Sequence, residues 1–282
     1  MRIRATVAAV SGALALSAFV VPAAHAADVP GAASLARTVQ PNTAKSPTDV
    51  THGDTKISNV VVNGGKGVVF GTTTKKTFTV TFTASDNSGI KMALAILYHG
   101  ANIEDSDNGA VPNENGGAKA SCTAVSSTTA NCKETFTIQA NQQLLNAHAG
   151  TWKVWAIAQG KDADYVQKEN VKSFYVQRAS KLTVNAAPEP VKKGRTITVT
   201  GALTRADWQT GRYTGYVGQA VKLQFKKKGA SAYTTIKTIK TTTGGALKTT
   251  VTASVDGTFR YSFAGTSTTP AVNATGDYVD VQ

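Results

Sequence analysis

Positions 76–84 read Lys-Thr-Phe-Thr-Val-Thr-Phe-Thr-Ala, so Phe78, Val80, Phe82 and Ala84 alternate with Thr77, Thr79, Thr81 and Thr83. Successive side chains of a strand point to opposite faces, and this period of two puts the aromatics on one face and the threonines on the other. The stretch therefore demands a sheet that buries one face and wets the other. Shorter runs repeat the pattern at Ile197, Val199 and Gly201, at Val221, Leu223 and Phe225, and at Phe259, Tyr261 and Phe263. Segments 92–98 and 152–158 are apolar at both parities, as strands deep in a sandwich are. Asp86-Asn-Ser-Gly89, Gly64-Gly65, Gly244-Gly245 and Asp256-Gly257 punctuate the runs as turns. Residues 100–119 read as a polar loop, and 141–149 as one short helix ended by Gly150. The expected fold class is all-β.

The strands fall into two groups. Residues 54–177 are expected to form a first immunoglobulin-like sandwich. Residues 178–282 hold seven short runs with turns between them, the pattern of a second such sandwich. Trp152 and Trp155 have opposite parity, so at most one fills the sandwich core; the other is expected against the neighbouring domain or the short helix.

The N-terminus places the chain outside the cell. A basic start, Met1-Arg-Ile-Arg4, precedes an apolar stretch over 5–21, and Ala24-His25-Ala26 offers a cleavage site. That order is a secretory signal peptide over 1–26. Residues 27–53 are rich in Pro, Ser, Thr and Ala and read as a disordered tether, with a removable propeptide as the alternative. The remaining chain has no second apolar run of spanning length. Cys122 and Cys132 are the only cysteines, and in an exported protein they are expected to form one disulfide between neighbouring strands.

Charge is distributed unevenly. Residues 54–177 carry eleven Lys/Arg against ten Asp/Glu, whereas 178–282 carry fifteen against five. The second half therefore presents a cationic field that attracts polyanions and weakens with salt. Export makes an anionic cell-envelope polymer or surface glycan the expected partner rather than nucleic acid; the alternative is that the charge serves solubility alone.

Two resemblances follow from particular residues. Val191-Lys-Lys-Gly-Arg-Thr-Ile-Thr-Val-Thr-Gly201 and Gly257-Thr-Phe-Arg-Tyr-Ser-Phe-Ala-Gly265 resemble bacterial immunoglobulin-like repeats. Asp86-Asn-Ser-Gly89, the cysteine pair, and Gly150-Thr-Trp-Lys-Val-Trp155 leading into Lys161-Asp-Ala-Asp164 resemble a family of secreted bacterial domains of unknown function. Some proteins of this kind carry a calcium-binding label, so the resemblance implies a cation as an expectation and supplies no catalytic residues.

The residues themselves argue against an enzyme. Outside the signal peptide only His52, His99 and His148 remain, and there is no H-E-x-x-H, no G-x-S-x-G and no Walker A loop. The alternative is a secreted carbohydrate-active or other hydrolytic enzyme with an acidic site outside known patterns. Calcium takes six to eight oxygen ligands, and acidic loops of the first domain supply them: Glu104, Asp105, Asp107 and Asn108 in one cluster, with Asp86, Asn87, Asp162 and Asp164 in two others. The first cluster departs from an EF-hand, and turn formation explains Asp and Asn equally well. A second candidate surface is the loop 205–218, where Arg205, Trp208, Arg212, Tyr213 and Tyr216 combine aromatic faces with guanidinium forks suited to an anionic glycopolymer. The competing reading folds these aromatics back as a cap. Lys226-Lys-Lys228 reads as a solvated turn edge.

Overall fold

The computed structural model describes residues 49–282; the expected signal peptide and residues 27–48 of the expected tether lie outside them. The first ten strands are β1 (Val50–His52), β2 (Lys56–Val62), β3 (Val68–Phe70), β4 (Lys75–Ser85), β5 (Ile90–His99), β6 (Asn108–Ala110), β7 (Ser121–Ala124), β8 (Thr129–Gln139), β9 (Gly150–Gly160) and β10 (Tyr165–Arg178). One sheet runs β1-β10-β9-β5-β6, with β3 parallel to β10, and the facing sheet runs β2-β4-β8-β7. The next ten are β11 (Ser180–Leu182), β12 (Asn185–Ala187), β13 (Thr196–Asp207), β14 (Arg212–Gly215), β15 (Ala220–Lys227), β16 (Thr234–Lys240), β17 (Ala246–Thr252), β18 (Gly257–Phe263), β19 (Val272–Asn273) and β20 (Asp277–Val279). Here β13 pairs with β11, β12, β14 and β17, and the opposing sheet runs β16-β15-β18 with β19 and β20 on β18.

The alternation behind β4 is realised along its length. Phe78, Val80, Phe82 and Ala84 are buried between the sheets, with the threonines outward. β8 pairs β4 over eleven positions, setting Phe78 opposite Phe136 with ring centroids 6.0 Å apart. Cys122 and Cys132 sit opposite each other on β7 and β8 and form the disulfide. Closing so short a loop contributes about 3 kcal/mol in the chain-entropy view. The second sandwich encloses its own cluster, with Ile197 and Val199 facing Val221, Leu223, Tyr261 and Phe263.

Four expectations are corrected. Val50–His52 pairs with Tyr165–Gln167 at a sheet edge, so ordered structure begins before residue 54; backbone pairing needs no apolar periodicity. The short helix is a single turn, α1 (Ala140–Gln143), followed by extended Leu144 and Leu145 and a 3-10 turn at Asn146–His148. The loop 100–119 is not polar throughout: Ile103 is fully buried. Both tryptophans are buried, on opposite faces as parity requires. Trp152 lies in the sandwich core, while Trp155 packs with Leu94, Ile96, Tyr98, Ile103 and Ile157 on the far side of the same sheet rather than against the second sandwich or α1.

The two sandwiches are joined tightly. Only Ala179 separates β10 from β11, and its N–H donates to the Phe70 carbonyl. Buried Arg178 donates from Nε to the carbonyl of Ala206. Burial, with Arg205 adding repulsion, lowers its pKa to about 10. Among the described residues no helix is long and apolar enough to cross a membrane.

Candidate functional site

Three chain connections meet at one end of the first sandwich. The link from β1 to β2 carries Asp54, the turn from β4 to β5 carries Asp86, and the turn from β9 to β10 carries Asp164. One carboxylate oxygen from each lies within 4.8 Å of the other two. The strands fix this meeting, since β5, β9 and β10 are antiparallel neighbours whose ends at Ile90, Gly160 and Tyr165 adjoin.

Hydrogen bonds hold the carboxylates in place. Buried Asp86 accepts from the Thr55 hydroxyl, the Ser88 hydroxyl and the Ser88 N–H at 2.8 Å. Burial pushes its pKa up, but these donors outweigh burial and hold the carboxyl below its ordinary value. Asp164 accepts from the Asp54 N–H at 3.2 Å, and His52 Nδ1 lies 3.2 Å from its other oxygen. Asp54 accepts weakly from the Asn87 N–H at 3.4 Å. Glycine is required at two points: a Cβ on Gly160 would collide with the Asp86 carboxylate, and one on Gly53, at φ 76°, with that of Asp164. Three carboxylates this close repel one another, and a divalent cation with a preference for oxygen offsets that repulsion.

The sequence-derived acidic residues divide between two ends. Asp86 and Asp164 belong to this cluster; Asn87 and Asp162 are exposed in the same turns, with Asp162 accepting from the Asp164 N–H. Glu104, Asp105, Asp107 and Asn108 follow the far end of β5, about 30 Å along the strand. There Asp105 bonds Asn102, Asp107 lies 2.6 Å from His99, and Asn108 donates to the Gln143 carbonyl and to His148 Nδ1. The two groups cannot share one ion. Asp54 is the ligand candidate missed in the sequence; the His-Gly-Asp turn directly before the first long strand was its signal.

Residues 205–218 belong to the β13–β14 hairpin rather than to an open loop, and they form a joint, which corrects the expectation of an open ligand surface. Trp208 is 1% exposed and belongs to the core cluster of the first sandwich, edge-on to Phe70. Its N–H donates to Asn146 Oδ1 at 3.0 Å. Arg205 stacks over Tyr216 at 3.8 Å, Lys181 covers Tyr213 at 4.0 Å, and of the five candidate residues only Arg212 stands exposed. An apolar recess on the neighbouring sandwich gives Trp208 and Tyr213 a better environment than water does, while Tyr216 packs edge-on to Phe263 of its own sandwich.

Among the described residues no nucleophile, base and orienting group come together as a catalytic cluster. His52 and His99 each contact a carboxylate, and His148 accepts two N–H donors.

Residues 69–158 match a protein family described as a family of unknown function (DUF5707). No curated protein matches the chain. Among solved structures, the chain is similar to a chimeric titin Z1Z2 carrying an exogenous decorin peptide, at 11% identity and TM-score 0.23, over 83% of this chain and 98% of that one. It is also similar to the D00-D0 domain of intimin, at 13% identity and TM-score 0.25, over 79% and 99%. A third likeness is to three N-terminal domains of the bacteriophage RB49 outer capsid protein Hoc, at 10% identity and TM-score 0.29, over 81% and 71%. The sheets themselves, not these likenesses, define the fold.

Proposed function

We propose that this is a secreted, non-enzymatic binding protein of the bacterial cell exterior. Its first sandwich holds a calcium ion at Asp54, Asp86 and Asp164, and its second associates with an anionic envelope polymer. The meeting of three carboxylates from three separate chain connections carries the calcium reading. Its role is structural: an ion there ties the three connections to one another, as the disulfide ties β7 to β8. Asn87 and Asp162 stand in the same turns as additional oxygen donors. Export rests on the N-terminal signal pattern, and the polymer reading on the excess of Lys and Arg over 178–282.

A calorimetric titration tests the first half. Heat of binding at millimolar calcium or below supports it, and no heat at those concentrations removes it. Retention on isolated envelope polymer tests the second half. Binding that falls as salt rises supports it; binding indifferent to ionic strength rules out the electrostatic account.

A further inference from the structure

The loop expected to meet a polyanion is occupied by the joint, so the cationic character of the second sandwich must act elsewhere. β15, β16 and β18 contain no Asp or Glu at any position. Val221 and Leu223 point into the core, so Lys222, Gln224 and Lys226 point outward from β15. Cross-strand register then sets Lys240 and Thr238 outward on β16 beside Ala220 and Lys222, and Arg260 outward on β18 beside Gln224. Four cations therefore share one solvent face with threonine, serine and glutamine. Among the described residues none of the four forms an ion pair. The central aromatic, Tyr233, lies under the Arg260 guanidinium at 3.7 Å, with Lys226 Nζ 5.2 Å from its centroid. Arg260 is further oriented by Gln224, whose Oε1 accepts from Nε at 2.9 Å.

We propose that the outer face of β16-β15-β18, through Lys222, Lys226, Lys240 and Arg260, is a docking track for a linear polyphosphodiester. This rests on the reading of the second sandwich as the polymer-binding half, and names its surface and ligand chemistry. Lys222 and Lys226 stand about 13 Å apart along one strand, with Arg260 on the adjacent strand beside the gap between them. A flexible chain with charge at regular intervals can meet successive cations there. The ring among these cations is already stacked on a guanidinium, so recognition proceeds through charge rather than through base or sugar stacking. Arg260, held by Tyr233 and Gln224, presents a pre-oriented fork to a phosphate.

The test compares three full-length proteins on poly(glycerol phosphate): the parent, the face variant Lys222→Gln/Lys226→Gln/Lys240→Gln/Arg260→Gln, and a control variant Lys192→Gln/Lys193→Gln/Arg195→Gln/Lys248→Gln. The control loses the same charge from exposed positions off the face. At low salt the face variant is expected to bind on the order of a hundredfold more weakly, with a shallower salt dependence by about three log units per log unit, while the control stays within about threefold of the parent. Circular dichroism confirms that both variants keep the β spectrum. Equal loss in both variants would show that net charge, not this face, governs binding, and would overturn the track while leaving the polymer reading intact. No binding by the parent would remove both. Tighter parental binding to single-stranded DNA than to poly(glycerol phosphate) would overturn the assigned ligand chemistry.

Discussion

Trp208 and Phe70 meet edge-on, with ring centroids 6.2 Å apart and planes at 89°, although one follows β13 of the second sandwich and the other ends β3 of the first. A side chain from one sandwich thus completes the core of its neighbour. The indole N–H points at the Phe70 carbonyl, at 3.5 Å, and the Trp208 main-chain N–H is capped by Asn146. Beside them, Arg178 and Ala179 pin the one-residue link. The joint is built as core rather than as a flexible hinge.

Trp208→Ala is accordingly expected to destabilise the first sandwich, by about 3–5 kcal/mol as for a large aromatic removed from a core. Denaturant unfolding followed through the buried tryptophans checks it. Phe70→Ala should interact with Trp208→Ala non-additively in a double-mutant cycle, since the two rings share one contact. An effect confined to the second sandwich would contradict the joint.

Glu134 introduces a pH dependence of unusual sign. Its side chain is fully buried on β8, where both carboxyl oxygens accept the Ala95 N–H, at 2.9 and 3.1 Å. Burial raises its pKa from 4.5 to about 8, and Glu114 adds to the rise while the Ala95 bond opposes it. The native state then holds a proton that the unfolded state releases above about pH 4.5. Stability contributed by this group is intact below that value and declines as pH rises towards 8. Glu134→Gln, which mimics the protonated form, should flatten the melting temperature over that interval.

His148 acts in the opposite direction. Its Nδ1 accepts from the Leu145 N–H at 2.9 Å and from Asn108 Nδ2 at 2.7 Å, so a proton there would face two donors. Burial lowers its pKa below 6.5 and His99 lowers it further, against Asp107. With the folded pKa depressed, the unfolded chain takes up protons first, and stability falls as pH drops below 6.5. In a Glu134→Gln background the melting temperature should therefore decline between pH 7 and pH 5. The added change His148→Gln, an acceptor that does not titrate, should remove the decline. Because the neighbouring Asn146 caps Trp208, acid should also perturb tryptophan fluorescence at the joint.

Periodicity made much of the fold legible. The parity of Phe78, Val80 and Phe82 located the first core, and that of Val221, Leu223 and Tyr261 the second. The same parity put Glu134 in line with Cys132 and Phe136, a buried carboxylate open to anyone counting by twos; its partner Ala95 lies on the facing sheet and was not. The acidic site was half legible. Asp86 and Asp164 stand in turns that announce themselves, but which turns share an end depends on strand order, so the Glu104–Asn108 cluster looked equivalent and lies at the opposite end. Asp54 carries no periodic signal because β1, which brings it to the site, is a three-residue edge strand held by backbone pairing. Trp208 shows the same limit: a loop aromatic reads alike whether it faces a ligand or packs against a neighbouring sandwich.

The cation site has the most direct test in the account. Thermal unfolding of the parent and of Asp164→Asn is measured in calcium and in chelator. An ion bound only by the folded state stabilises by about 2.7 kcal/mol at a hundredfold excess over its dissociation constant. The parent should melt several degrees higher in calcium than in chelator, and Asp164→Asn should melt at the same temperature in both. A parent that unfolds identically with and without calcium would contradict the claim that Asp54, Asp86 and Asp164 hold an ion.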